Sequence, residues 1–187
     1  MGELNDYSGE FIPSLKLADF SKEALLRLLI AYARCYPGMD GLWFSLCRER
    51  FGDEVARELD EEIWANRALE PEAKRICAAL DIQGDDVATL FKLYQTQPGF
   101  EPLGFEMEYE LKDRNHGICT VRNCRSIEYF ARHNDWDTAR WVCEKIDQIG
   151  FEATAHYFNP DMIVTPLKLH PNSKDDRPHC VWEYRVP

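Results

Sequence analysis

The chain has 187 residues and a mass of 21.8 kDa; 45% of its residues are apolar and 12% aromatic, enough for one domain with a proper core. Lys and Arg number 22 against 33 Asp and Glu, and the resulting −11 and pI near 4.9 argue against nucleic acid or an anionic membrane surface as the main partner. No window approaches the ~18 uninterrupted apolar residues of a spanning helix, the N-terminus lacks the basic stretch of a signal peptide, and Asp6 stands where a myristoylation signal needs Ser or Thr; a soluble cytoplasmic protein is expected.

Residues 1–16 are polar, contain Gly2, Gly9 and Pro13, and read as a loose arm; 17–187 read as a single α+β domain, helical over 17–97 and sheet-forming over 98–187. Ser21 is placed to cap the first helix, with Phe20 and Leu25 as a hydrophobic staple, and Pro37-Gly38 is expected to end it. A second helix runs from Asp40 to Gly52 with Leu42, Trp43, Leu46, Cys47 and Phe51 on one face. A third follows with Asp53 as cap and Val55, Ala56, Leu59 and Ile63 as its stripe. Pro71 suits the first turn of a short helix, and Asp85 opens the last one of this half. Pro98-Gly99 then changes the period. Phe105 to Leu111 alternates strictly, giving a strand with one buried face and one face of glutamates. A turn at Asp113–His116 leads to a return strand over 117–124. Helical spacing resumes from Asp135 or Asp137 to Tyr157, Met162 to Leu169 is a third strand, and Cys180 to Val186 a fourth, with Cys180, Trp182, Tyr184 and Val186 inward. The order is an N-terminal helical bundle followed by a ββαββ four-stranded sheet with a long crossover helix.

Seven cysteines, an odd number without any CxxC pair, point in a reducing compartment to core thiols, redox chemistry or metal ligation assembled by the fold. A strand–helix–strand crossover leaves its flanking strands parallel, so both end at the same edge of the sheet. Cys124 ends strand two, Cys143 lies in the first two turns of the crossover helix, His170 follows strand three, and Cys180 starts the antiparallel strand four. These four ligands converge on one edge and suit tetrahedral zinc, with ferrous iron as second choice. Buried cysteine is also an ordinary core residue, and Cys35, Cys47 and Cys77 on helical stripes are assigned to packing. His179, adjoining Cys180, and a water compete with His170 for the fourth position. Cys119 is five residues from Cys124 and faces the other way in a regular strand; His133 and His156 lack cysteine neighbours.

Hydrolase, phosphate-loop, HExxH and dinucleotide motifs are absent, as is the deaminase zinc signature. Asp60-Glu61-Glu62 reads as a solvated helix face. Among five tryptophans, Trp43, Trp64 and Trp182 are the candidates for an aromatic pocket that stacks a small ligand, with core packing as the alternative, since Trp43 and Trp182 fall on inward stripes.

Asp40-Gly-Leu-Trp-Phe44, Glu49-Arg-Phe-Gly52, Glu58-Leu-Asp60 and Trp64, with Cys124, Cys143 and the Cys-x-Trp-Glu-aromatic strand Cys180–Tyr184, resemble a prokaryotic family of unknown function. Its members are often labelled L-2-amino-thiazoline-4-carboxylate hydrolase-like. The resemblance covers roughly residues 20–185 and implies a fold related to vinyl-reductase-like metal- and ligand-binding domains. Family members often carry Cys-Pro where this chain has His170-Pro171. Two functions follow. One is a metal-dependent hydrolase of a small sulfur- or nitrogen-containing organic substrate under the N-terminal helices, with zinc polarising a water. The other is a noncatalytic binding or sensing module in which a closed Cys3His shell staples helix to sheet, because three thiolates make a weak Lewis acid and a full shell leaves no open position. Metal-free thiol redox among Cys124, Cys143 and Cys180 is a third. The partner expected is a small molecule, and homo-oligomerisation is left open.

Overall fold

A computed structural model describes residues 3–100, 102, 104–169 and 171–187. Ser21 starts the first helix as its composition requires: its hydroxyl accepts from the Ala24 amide at 3.2 Å. The helix, α1, runs over Lys22–Phe51 without a break. The stop expected at Pro37-Gly38 does not occur. Proline removes one backbone donor, yet the apolar spacing on either side of it is in phase, and the chain accepts the local loss. Gly52, at φ +93°, makes the real break, and Asp53 is the first residue of α2 (Asp53–Ile63) rather than its cap. A π-helical turn, Trp64–Ala68, joins α2 directly to α3 (Leu69–Leu80), so Pro71 lies inside continuous helix. Asp86, not Asp85, caps α4 (Val87–Tyr94), its carboxylate accepting from the Thr89 amide and hydroxyl at 2.8 Å. The arm expected over 1–16 is tied down at Leu4, which bridges to Phe20 and exchanges backbone hydrogen bonds with Asp19 and Ser21.

The sheet contains β1 (Glu106–Asp113), β2 (His116–Asn123), β3 (Ile163–Lys168) and β4 (Cys180–Arg185) in the order β1-β2-β4-β3. Every neighbouring pair is antiparallel, so β2 and β3 run parallel to each other with β4 between them. Between β2 and β3 lie a helix that the spacing does not anticipate, α5 (Arg125–His133), and then the crossover. The crossover consists of α6 (Trp136–Trp141), a π-helical turn over Val142–Ile146, and α7 (Asp147–Phe158).

Helices α4 and α7 cover one face of the sheet. The core between them is aromatic: Phe151 meets Trp182 at 4.7 Å between ring centroids, Phe91 meets Tyr184 at 5.5 Å, and Tyr94 meets Tyr184 at 5.8 Å. Cys119, Trp182 and Tyr184 are completely buried in it, as inward alternation along β2 and β4 requires. The opposite face carries ion pairs, His116 beside Glu183 and Arg122 beside Glu108, with Ile163 and Leu167 exposed on β3. Among the described residues no helix is long and apolar enough to cross a membrane.

Candidate metal centre at the sheet edge

The end of β2 and the start of β4 meet because Val121 pairs with Cys180 and accepts the His179 backbone N–H at 2.8 Å. Cys124 lies just beyond β2 and is the N-cap residue of α5. Strand parity no longer governs it, so it joins the helix side, packing beside Ile127, Ala139 and Cys143. Cys143 is 6% exposed and sits in the π-helical turn of the crossover; Cys180, 8% exposed, opens β4 on the inward face. Three thiols from three elements thus share one edge. Cys143 and Asp147, four residues apart, lie on the same side of the crossover.

Burial is the dominant electrostatic fact. It pushes the Cys124 thiol up to about 12, with the Asp147 carboxylate adding to the rise; Ser126 and Ile127 amides at the start of α5 oppose it without closing a capping hydrogen bond. Cys180 is driven well above the ordinary thiol range by burial, then by Asp147 and Cys124, with the Trp182 indole pulling the other way and Cys143 adding to the rise. Asp147 itself is raised to about 7 by burial. Cys124 and Cys180 therefore sit beside Asp147 as neutral thiols, and a cation would invert that balance by deprotonating the thiols it binds.

Sequence reasoning missed Asp147. Its signal was there: Cys143, Asp147, Gly150, Phe151 and Thr154 form one helical stripe, and Phe151 and Thr154 are buried, so a carboxylate stands in the inward register. His179 is buried and answers the competition for a ligand position differently. Its Nδ1 accepts the Cys124 backbone N–H at 2.8 Å and its Nε2 faces the Lys174 carbonyl at 2.9 Å. That pair of contacts puts the proton on Nε2 and occupies both nitrogens, making His179 a tie between the 171–178 loop and the site rather than a donor to an ion. His170 lies outside the described residues. His116 is engaged by Glu183 at 3.0 Å, His133 by the Tyr129 carbonyl at 2.8 Å and His156 by the Met162 carbonyl at 3.1 Å. Among the described residues no group of three or more His, Cys, Asp or Glu is already spaced to hold a metal ion; a shell around one requires the sulfurs to turn toward a common centre.

The three tryptophans do not line one pocket. Trp182 is fully enclosed and presents no surface to a ligand. Trp43, expected on an inward stripe, is 59% exposed, because α1 continues through Pro37 and keeps this side in water. Trp64 is half-buried in the π turn, edge-on to Tyr36 at 6.1 Å. Next to that pair, an open groove of about 490 Å³ between α1 and α3 is lined by Tyr36, Arg67, Pro71, Glu72, Arg75 and Ile76.

A family model described as a family of unknown function, DUF6125, matches residues 18–186. The chain belongs to this family. No curated protein and no solved structure matches it. The match spans both the α1 helix and the cysteine edge of this DUF6125 chain, and the family description assigns no chemistry to either.

Proposed function

We propose that this protein binds one soft metal ion, zinc with ferrous iron as second choice, through Cys124, Cys143 and Cys180, and that the ion fastens the crossover helix to the sheet edge. The reading rests on one observation: thiols from three separate elements, two of them buried, come together at one edge beside a half-buried carboxylate. Thiols exposed by only 6% and 8%, with Trp182 sealed behind them, suit a structural centre better than one that admits substrate. Small-molecule binding then falls to the groove between α1 and α3, whose size suits an organic ligand and whose Arg67 and Arg75 suit an anionic one. The fourth position goes to Asp147 or to His170.

Hydrolysis is the second reading, and Asp147 is what favours it. A carboxyl that burial holds above its ordinary range, next to thiols that would bind a metal, is placed to act as a general acid–base on metal-bound water, in keeping with the hydrolase label that the resemblance carries. The two readings differ in coordination. Protein purified without oxygen should contain about one zinc or iron per chain, and Cys143→Ala should lose it. In cobalt-substituted protein, a closed four-ligand spectrum with no exchangeable solvent position supports the structural reading. An exchangeable solvent position, with turnover abolished in Asp147→Asn, supports the hydrolase. Full metal occupancy in Cys124→Ala, Cys143→Ala and Cys180→Ala alike would refute both.

A further inference from the structure

Helix α1 leaves an unusual surface uncovered. Of its 30 residues only Ala24, Ala33 and Cys47 are buried, and it packs mainly against α2. Leu29, Tyr32, Tyr36, Met39, Trp43 and Leu46 succeed one another at alternating steps of three and four residues and are between 37% and 67% exposed. Leu26 and Leu42 flank them, 54% and 70% exposed. Alternating steps of three and four follow the ~3.5-residue period of a seam between two packed helices, and the seam runs unbroken past Pro37. Arg34 and Asp40 fall outside it, so no charge interrupts it.

Patches of this extent on a domain mark an interaction site, and the pattern itself names the occupant. Read in reverse, the spacing three-four-three-four-three is unchanged. Two copies laid antiparallel, with a two-fold axis between Pro37 and Gly38, place Leu29 opposite Leu46, Tyr32 opposite Trp43 and Tyr36 opposite Met39, so every seam residue finds a partner. That is the self-complementarity of an isologous interface. The eight side chains offer roughly the 800 Å² that one partner contributes to a standard interface. We infer that the outward face of α1 is a homodimer interface, covered by α1 of a second copy running antiparallel. Trp43 belongs to that interface. The inference is independent of the metal centre, which shares no residue with the seam.

Light scattering and sedimentation of the full chain test it. Wild type should run at twice the chain mass in the micromolar range, where interfaces of this size hold. The exposed-face double variant Tyr32→Glu/Met39→Glu should run at half that mass with an unchanged far-UV spectrum, while Leu167→Glu, equally exposed on β3, stays dimeric. In a Cys35→Ser background, oxidation should link chains carrying both Leu29→Cys and Leu46→Cys, and not chains carrying Leu29→Cys alone. A monomeric wild type would overturn the inference, and its capture by phosphatidylcholine vesicles would reassign the face to lipid. A dimer that survives the double glutamate variant would place the interface elsewhere, and linkage through Leu29→Cys alone would make it parallel.

Discussion

Replacing Gly117 by Ala tests how closely α4 is seated on the sheet that carries the cysteine edge. Gly117 is buried in β2, opposite Leu111 and Tyr184. A Cβ built there falls 2.6 Å from Phe91 Cε2, 2.9 Å from Phe91 Cζ and 3.0 Å from Val87 Cγ1. Phe91 cannot swing away, because its ring is boxed in by Tyr109 at 5.1 Å and Tyr184 at 5.5 Å. Two effects oppose each other. Glycine to alanine restricts the unfolded chain and stabilises by about 0.4–1 kcal/mol where the backbone tolerates it, and an ordinary strand position does. Overpacking a closed core costs about 1–3 kcal/mol, and a contact of 2.6 Å against a fixed ring lies at the upper end. The net is a loss of about 2 kcal/mol, which lowers Tm by roughly 4–8 °C for a chain of this size. Urea unfolding followed by tryptophan fluorescence would measure it, and Phe91→Leu in the same chain should recover part of the loss through coupling between the two sites. A neutral or stabilising Gly117→Ala would refute the seating of α4 described here.

Loss of the His179 ring should orphan the Cys124 amide. His179→Ala is expected to cost about 2–3 kcal/mol in urea unfolding, and His179→Asn less, since its side-chain oxygen can stand in for Nδ1; faster hydrogen exchange at Cys124 in the alanine variant would locate the effect. Asp60 supplies a pH test. Burial, the Asp40 carboxylate from α1 and Glu61 raise it from 3.8 to about 7, with the Trp64 indole opposing. A folded value above the unfolded one means the folded state holds the proton more tightly. Stability from this group is therefore present below about pH 4 and lost as pH rises toward 7. Partial solvent contact limits the change to on the order of 1 kcal/mol. Asp60→Asn should flatten the slope between those pH values, and an unchanged slope would rule the mechanism out.

Much of this protein is legible in its sequence for local reasons. Strict alternation over 105–111 and 180–186 specifies strands whose inward residues pack on the core, Leu111 at 48% exposure excepted, and the 3.6-residue spacing after Asp135 specifies the crossover. These are properties of neighbours along the chain. The convergence of Cys124, Cys143 and Cys180 on one edge also follows from sequence order, once the crossover makes β2 and β3 parallel. What the tertiary structure decided is where local signals compete or stay silent. Proline at 37 reads as a stop, yet the in-phase apolar residues on both sides carry the helix through it and turn Trp43 outward. Asp147 reads as one more surface acid in a chain of −11. Only the cysteines brought from β2 and β4 make it a half-buried neighbour of thiols. His179 reads as a ligand beside a cysteine, and the fold spends both its nitrogens on backbone groups 55 and 5 residues away. Periodicity reports which side of an element faces inward, but what faces it there is set by chain distant in sequence.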